Sequence, residues 1–308
     1  MFKRKKIFIF GAGGLLGRII FNKLSKRHLV YGSSHRKLNN KNIIKLDYVN
    51  IDKKHINLIN SSDYIINCIG ESKMNHKMVD TNFRVINNIS KNLKKGKIKY
   101  FIHISTCGVY GNLKPNRVNE KLKPLPYTLY SKTKLQGENI LFDNLEKKFT
   151  VIILRCSQII GPEMKNTSIR KLYFYIRKNL FFFTNNKKSI YSFVFQDDIL
   201  KCLEKIIGKK KLNSNIFNLS NSIRYEDLVK KILLTFDKKK FIPNISPILI
   251  KLMIKFFEFF KINLPLNSNQ LNSLMTKQIY VSSKIKKKLR IKSFININSK
   301  NIISLIND

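Results

Sequence analysis

Lys5-Lys-Ile7-Phe-Ile-Phe10-Gly11-Ala-Gly-Gly14-Leu-Leu-Gly17 is the stretch from which the rest of the chain can be read. A continuous apolar run that stops abruptly at a glycine suits a strand buried on both faces of a parallel sheet. Helical periodicity follows from Leu15 to Leu24. The glycines at 11, 14 and 17 fall on the turn between the two elements. Glycine permits a tight turn and lets backbone N–H groups approach a pyrophosphate. The helix N-terminus adds its dipole, and the last glycine lets helix and strand pack closely. The basic residues before Ile7 followed by an apolar run also mimic a secretion signal. Arg18 cuts that run and no small-residue cleavage site follows.

Outward from this unit, strand patterns at Leu29–Tyr31, Ile43–Leu46, Asp63–Asn67, Tyr100–Ile104 and Val151–Leu154 alternate with helical patterns at Val79–Leu93 and Tyr130–Leu145. Such alternation predicts βαβ units: an α/β, Rossmann-like, doubly wound parallel sheet. After Gly161-Pro162 the spacing becomes irregular, with short strands near Ser192–Phe195 and Ile216–Leu219. We expect an NAD(P)-binding domain over 1–165 and a smaller C-terminal substrate lobe over 166–308, with segments in 192–220 as candidates to return to the sheet. The apolar segment 247–261 carries Lys251, Lys255 and Glu258 on one helical face. It reads as a helix packed on the second lobe, with peripheral membrane contact as the alternative.

The chain has 308 residues, 43% apolar and 11% aromatic, which is enough to build a core and excludes wholesale disorder. No uncharged run is long enough for a transmembrane segment. Four scattered cysteines make neither a disulfide framework nor a zinc module, so no metal is expected and a reducing, cytoplasmic setting is the simplest reading. The formal net charge of +42 would suit a polyanionic partner. Its lysines are spread along the whole chain, so no specific nucleic-acid surface is expected.

The turn after the second strand, Tyr31-Gly-Ser-Ser-His-Arg36, holds no acid for a ribose 2′-hydroxyl. Ser33, Ser34 and Arg36 there favour NADP over NAD. Asp47, after the third strand, is a candidate contact to the adenine edge. Tyr130 and Lys134 stand four apart and share a helical face. A nearby ammonium would lower the phenol's pKa and let it exchange a proton near neutrality. Ser105-Thr106, directly after the fifth strand, supplies a hydroxyl that could bind both a substrate oxygen and this phenol.

These pieces occur in order with Asn67-Cys-Ile-Gly70, Asn82, Thr106-Cys-Gly-Val-Tyr110-Gly111, Glu120, Pro126, Tyr130-xxx-Lys134-xxx-Glu138, Leu154-Arg-Cys-Ser-Gln158 and Phe193-Val-Phe-Gln-Asp-Asp198. As a set they resemble the extended short-chain dehydrogenases/reductases of the NAD-dependent epimerase/dehydratase family. The resemblance implies a catalytic set of Thr106, Tyr130 and Lys134. It implies a dinucleotide site formed by Gly11, Gly14, Leu15, Leu16, Gly17, Ser33, Arg36, Asp47, Tyr48, Cys68, Ile69, Gly70 and Asn82, together with Tyr130 and Lys134. It also implies a nucleotide-sugar substrate met by Thr106 and Gln158, second-lobe Arg and Lys on its diphosphate, and homodimers formed through the helix starting near Tyr130 and the one before it.

Departures narrow the expectation. Relatives that eliminate water from a sugar place Asp-Glu after the catalytic threonine, whereas this chain has Cys107-Gly108. A 4-epimerase or 4-ketoreductase is therefore expected rather than a 4,6-dehydratase. Cys107 is expected to be a small buried residue and His103 a packed one. Gln158 replaces the family's usual Asn. The alternative is a non-catalytic NADP(H)-binding assembly subunit of the same fold, in which the Thr/Tyr/Lys set would serve no purpose.

Overall fold

Strand β1 (Lys6–Phe10) alternates its side chains between two apolar clusters. Ile7 and Ile9 pack with Ile19, Ile20 and Leu24 of α1 (Leu15–Ser25). Phe8 and Phe10 pack on the opposite face with Ile65, Phe101 and Leu141. Both faces of the strand are thus covered, as a continuous apolar run requires. The computed structural model describes residues 3–111, 116–164, 168–183, 189–209, 211–236, 241–246, 248–249, 252 and 277–306.

The chain continues through β2 (Leu29–Ser34), β3 (Ile43–Lys45), α2 (Lys53–Asn60), β4 (Tyr64–Asn67) and α3 (Asn75–Val79). A π turn (Asp80–Arg84) leads into α4 (Val85–Asn92) and β5 (Tyr100–Thr106). After a 3-10 turn (Cys107–Tyr110) come β6 (Arg117–Val118), α5 (Leu129–Leu145), β7 (Thr150–Cys156), β8 (Gln158–Ile160) and α6 (Ser168–Arg177). Then follow β9 (Ile190–Phe195), α7 (Gln196–Ile207), β10 (Asn215–Leu219), β11 (Asn221–Arg224) and α8 (Tyr225–Leu233). The last described elements are β12 (Ile279–Tyr280), α9 (Ser283–Leu289) and α10 (Ser299–Ile306).

The main sheet has seven parallel strands in the order β10-β7-β5-β4-β1-β2-β3. The order reverses between β1 and β4, which opens a crevice at the carboxyl ends of those strands. A second sheet, β11-β9-β8, is mixed, and β12 pairs with β6. Segments on both sides of residue 165 contribute to both larger sheets: β8 lies in the second and β10 in the first. A third apolar cluster around Phe193, Phe195, Leu228 and Ile302 holds the second lobe together. The helix read over 247–261 lies outside the described residues except for Ile248, Leu249 and Leu252, which are exposed. No helix among the described residues is long and apolar enough to cross a membrane.

Candidate active site

The glycine loop closes at the β1/β4 crevice. Gly11 has φ of 76°, a left-handed conformation that other residues rarely adopt, and its carbonyl accepts from the Gly14 N–H at 3.0 Å. A Cβ on Gly17 would sit 2.1 Å from the Gly11 oxygen, so only glycine lets α1 start this close to β1. Gly14 caps α1 without any side-chain hydrogen bond, and Leu15 and Leu16 follow exposed and half-buried. The first N–H groups of the helix are therefore open to an anion. A dinucleotide pyrophosphate fits this cradle.

The loops around the cradle differ in what they offer. Ser33 is buried, 3.1 Å from the Tyr48 hydroxyl. Arg36 is exposed, and its N–H donates to Ser34 Oγ at 3.3 Å. The Asp47 carboxylate accepts from the Val49 N–H at 2.8 Å and from Asn50 at 3.5 Å, closing its own loop. Cys68, Ile69 and Gly70 follow β4, and the Ile69 N–H would lie 3.0 Å from a Cβ on Gly11. Asn82 is buried. Its side chain exchanges two 2.9 Å bonds with the Glu71 backbone and donates to Thr133 at 3.1 Å, clamping the loop after β4.

The carboxyl ends of β5 and β7 and the start of α5 build the second half. Thr128 caps α5 by accepting from the Ser131 N–H, so Tyr130 falls in the first turn and Lys134 one turn on. Thr106 Oγ1 accepts from the Gly108 N–H at 3.0 Å, which leaves its own O–H free to donate. Ser105 instead donates to Glu138. Glu138 and Arg155 form a buried pair with contacts of 3.2, 3.1 and 2.6 Å. The Arg155 guanidinium also lies 4.8 Å from the Tyr110 ring centre. Cys107 is buried and donates to the Arg155 carbonyl at 3.1 Å.

Tyr130 and Lys134 share a helical face, and the amine is engaged by other groups. Lys134 Nζ lies 3.0 Å from His103 Nε2 and donates to the Ile104 carbonyl at 2.8 Å. The Tyr130 phenol has no hydrogen-bond partner among the described residues, and burial, with Cys156 nearby, pushes its pKa up to about 12. Burial also draws Lys134 down to about 8, against the opposing pull of Glu138, Cys68 and Cys156. Helical spacing brought the two residues to one face but did not determine what the amine would bond.

Leu15, Thr106, Tyr130 and Gln158 line a single cleft of about 710 Å³. Tyr127, Tyr191, Tyr225 and Tyr280 form much of its wall, with Ser72 and Gln278. None of its described lining residues is charged, so the second-lobe Arg and Lys expected on a diphosphate are not among them. These tyrosines come from distant segments, and nothing in their local sequence marks them as cleft residues. The Asn67–His103 pair was also missed, because it depends on the register between β4 and β5.

A profile of the NAD dependent epimerase/dehydratase family matches residues 7–220. The chain belongs to that family. A solved UDP-glucuronic acid 4-epimerase from Bacillus cereus, in complex with NAD, is 21% identical with a TM-score of 0.74, covering 98% of this chain and 95% of its own. The Bordetella bronchiseptica enzyme WbmG, also in complex with NAD, is 14% identical with a TM-score of 0.76, over 99% and 93% of the two chains. A dTDP-D-glucose 4,6-dehydratase from Dictyostelium discoideum is 26% identical over 183 residues, 52% of this chain. The match spans 41% of that relative's length. The Rossmann-like, extended short-chain dehydrogenase/reductase architecture expected from the ordered set of motifs is the architecture found.

Proposed function

We propose that this family member transfers hydride to or from a nucleotide-linked sugar, as a 4-epimerase or 4-ketoreductase, with Tyr130, Thr106 and Lys134 as its catalytic set. The observation that carries this reading is the shared cleft: the start of α1, Thr106 and the unpartnered phenol of Tyr130 all face it. The nicotinamide cofactor supplies the hydride donor and acceptor. The open N–H groups of α1 would hold its pyrophosphate, and Lys134, anchored on the Ile104 carbonyl, its nicotinamide ribose. The exposed Arg36, with no carboxylate in its turn, supports NADP; the solved relatives hold NAD.

A phenol raised to about 12 is protonated at neutral pH. Tyr130 therefore enters the reductive direction ready to protonate the oxygen of a keto-sugar, while the Thr106 O–H steadies that oxygen. In the oxidative direction the same phenol must first lose its proton. The 4,6-elimination is set aside because Cys107 and Gly108 place no carboxylate beside Thr106. The tyrosine-rich wall suits stacking against sugar and base, which supports the substrate class.

The test is turnover on UDP-, GDP- and dTDP-linked sugars and keto-sugars, followed by nicotinamide absorbance. Tyr130→Phe should lower the rate about 10²–10⁴-fold with cofactor affinity unchanged. A variant that keeps full turnover refutes the assignment.

A further inference from the structure

The end of β5 is held differently from its middle. From Tyr100 to His103 the strand is paired with β4 on one side and β7 on the other. From Ile104 to Thr106 the ladder continues on the β7 side, with Ser105 opposite Arg155 and Thr106 opposite Cys156. The strand then leaves the sheet at the 3-10 turn beginning with Cys107. Along this half-paired stretch, side chains of α5 make contacts of their own. Lys134 donates to the Ile104 carbonyl at 2.8 Å, and Glu138 accepts from the Ser105 hydroxyl. Side chains at matched positions of neighbouring strands share a face of the sheet. Ser105 and Arg155 are such a pair, and Glu138 accepts from both. Arg155 Nε reaches its two oxygens at 3.2 and 3.1 Å, and Nη2 reaches Oε2 at 2.6 Å. One buried carboxylate thus ties the ends of β5 and β7 to the helix that carries Tyr130.

We propose that Ser105 is a positioning residue: its bond to Glu138 fixes the end of β5 against α5, so that Thr106 and Tyr130 meet the same substrate oxygen. This rests on the reading of Thr106 and Tyr130 as the reacting pair. The two adjacent hydroxyls both border the cleft, but they are committed differently. A hydroxyl has a single proton to donate. Ser105 spends its proton on Glu138 and is 4% exposed. Thr106 Oγ1 accepts from the Gly108 N–H at 3.0 Å and keeps its O–H for a ligand. Ser105 therefore does not compete for the substrate oxygen. It anchors the residue directly before the one that meets it. Glu138 lies about two turns beyond Tyr130 on α5, so the anchor and the phenol belong to one rigid element. Arg155 holds the carboxylate in place, and its guanidinium is itself backed by the Tyr110 ring, whose hydroxyl donates to Asn218 Oδ1 at 2.9 Å.

The test compares crystal structures of the full chain as wild type and as Ser105→Ala, together with a kinetic double-mutant cycle. Arg155 still reaches both Glu138 oxygens in the variant, so the ion pair and the fold should persist. The Thr106 hydroxyl should shift by about 0.5 Å or more relative to the Tyr130 phenol, or divide between two conformers. A Thr106 that superposes on the wild type overturns the proposal. Kinetics use whichever sugar of the UDP-, GDP- and dTDP-linked panel turns over fastest. Ser105→Ala should lower kcat about tenfold with KM unchanged, and should cost under about twofold more in a Thr106→Ala background, because it acts through Thr106. An unchanged kcat, a loss confined to KM, or losses that multiply in the double variant overturn it. Turnover of none of the panel would count against the functional reading, and the two structures, which need no substrate, would still decide whether Ser105 positions Thr106.

Discussion

Glu138→Gln keeps the size of the side chain and removes its charge. Both carboxylate oxygens face Arg155 donors, at 3.2, 3.1 and 2.6 Å. Whichever way the new amide turns, one N–H must point at the guanidinium. Glu138 is 1% and Arg155 3% exposed, so water cannot take over. Leaving a buried cation without its counter-charge costs about 3–5 kcal/mol. At an unfolding entropy of about 2.1 cal/mol/K per residue, each kcal/mol lowers the Tm of a chain this long by about 1.5 °C. The expected loss is therefore about 5–8 °C, read by circular dichroism or calorimetry. Adding Arg155→Met should recover more than half of it, because an apolar side chain replaces the stranded charge. A drop under about 2 °C for the single variant would refute the claim that this pair is dry and mutually dependent.

Other consequences follow from the same geometry. Gly17→Ala forces α1 away from the Gly11 oxygen, which its Cβ would approach to 2.1 Å; strain of about 1–3 kcal/mol should weaken dinucleotide binding about 5–150-fold by titration calorimetry. Arg36→Glu should weaken NADPH binding about tenfold or more while sparing NADH, since it sets a carboxylate against a 2′-phosphate; equal loss for both would refute the proposed choice of NADP. Asp198 is buried on α7, accepts from the Ile295 N–H at 2.9 Å, and is pushed up to about 6 by burial. The folded chain thus holds that proton more tightly than the unfolded one. The stability this gives is complete below about pH 4 and is lost as pH rises through about 6. Asp198→Asn keeps an acceptor for Ile295, so it should raise Tm above that pH and gain nothing near pH 4; parallel Tm curves would contradict the burial argument.

Much of this protein was legible in local sequence because the relevant constraints are local. An apolar strand, a glycine turn and a helix start within 17 residues are enough to specify a βα unit that can receive a pyrophosphate. Helical spacing is enough to bring Tyr130 and Lys134 to one face. The first mixed-sheet strand, β8, and the short α2 were not read, since three and eight residues carry too little periodicity.

Sequence by itself thus determined the parallel sheet, the cradle at its switch point and the order of the catalytic candidates. Tertiary structure decided what the candidate side chains touch. The spacing of Tyr130 and Lys134 suggested a charged lysine acidifying a phenol. Packing withdraws both groups from water, raises the phenol and turns the amine onto His103 and the Ile104 carbonyl. Desolvation and cross-strand hydrogen bonding arise only when residues distant in the chain are brought together, so no reading of neighbouring residues could have supplied them.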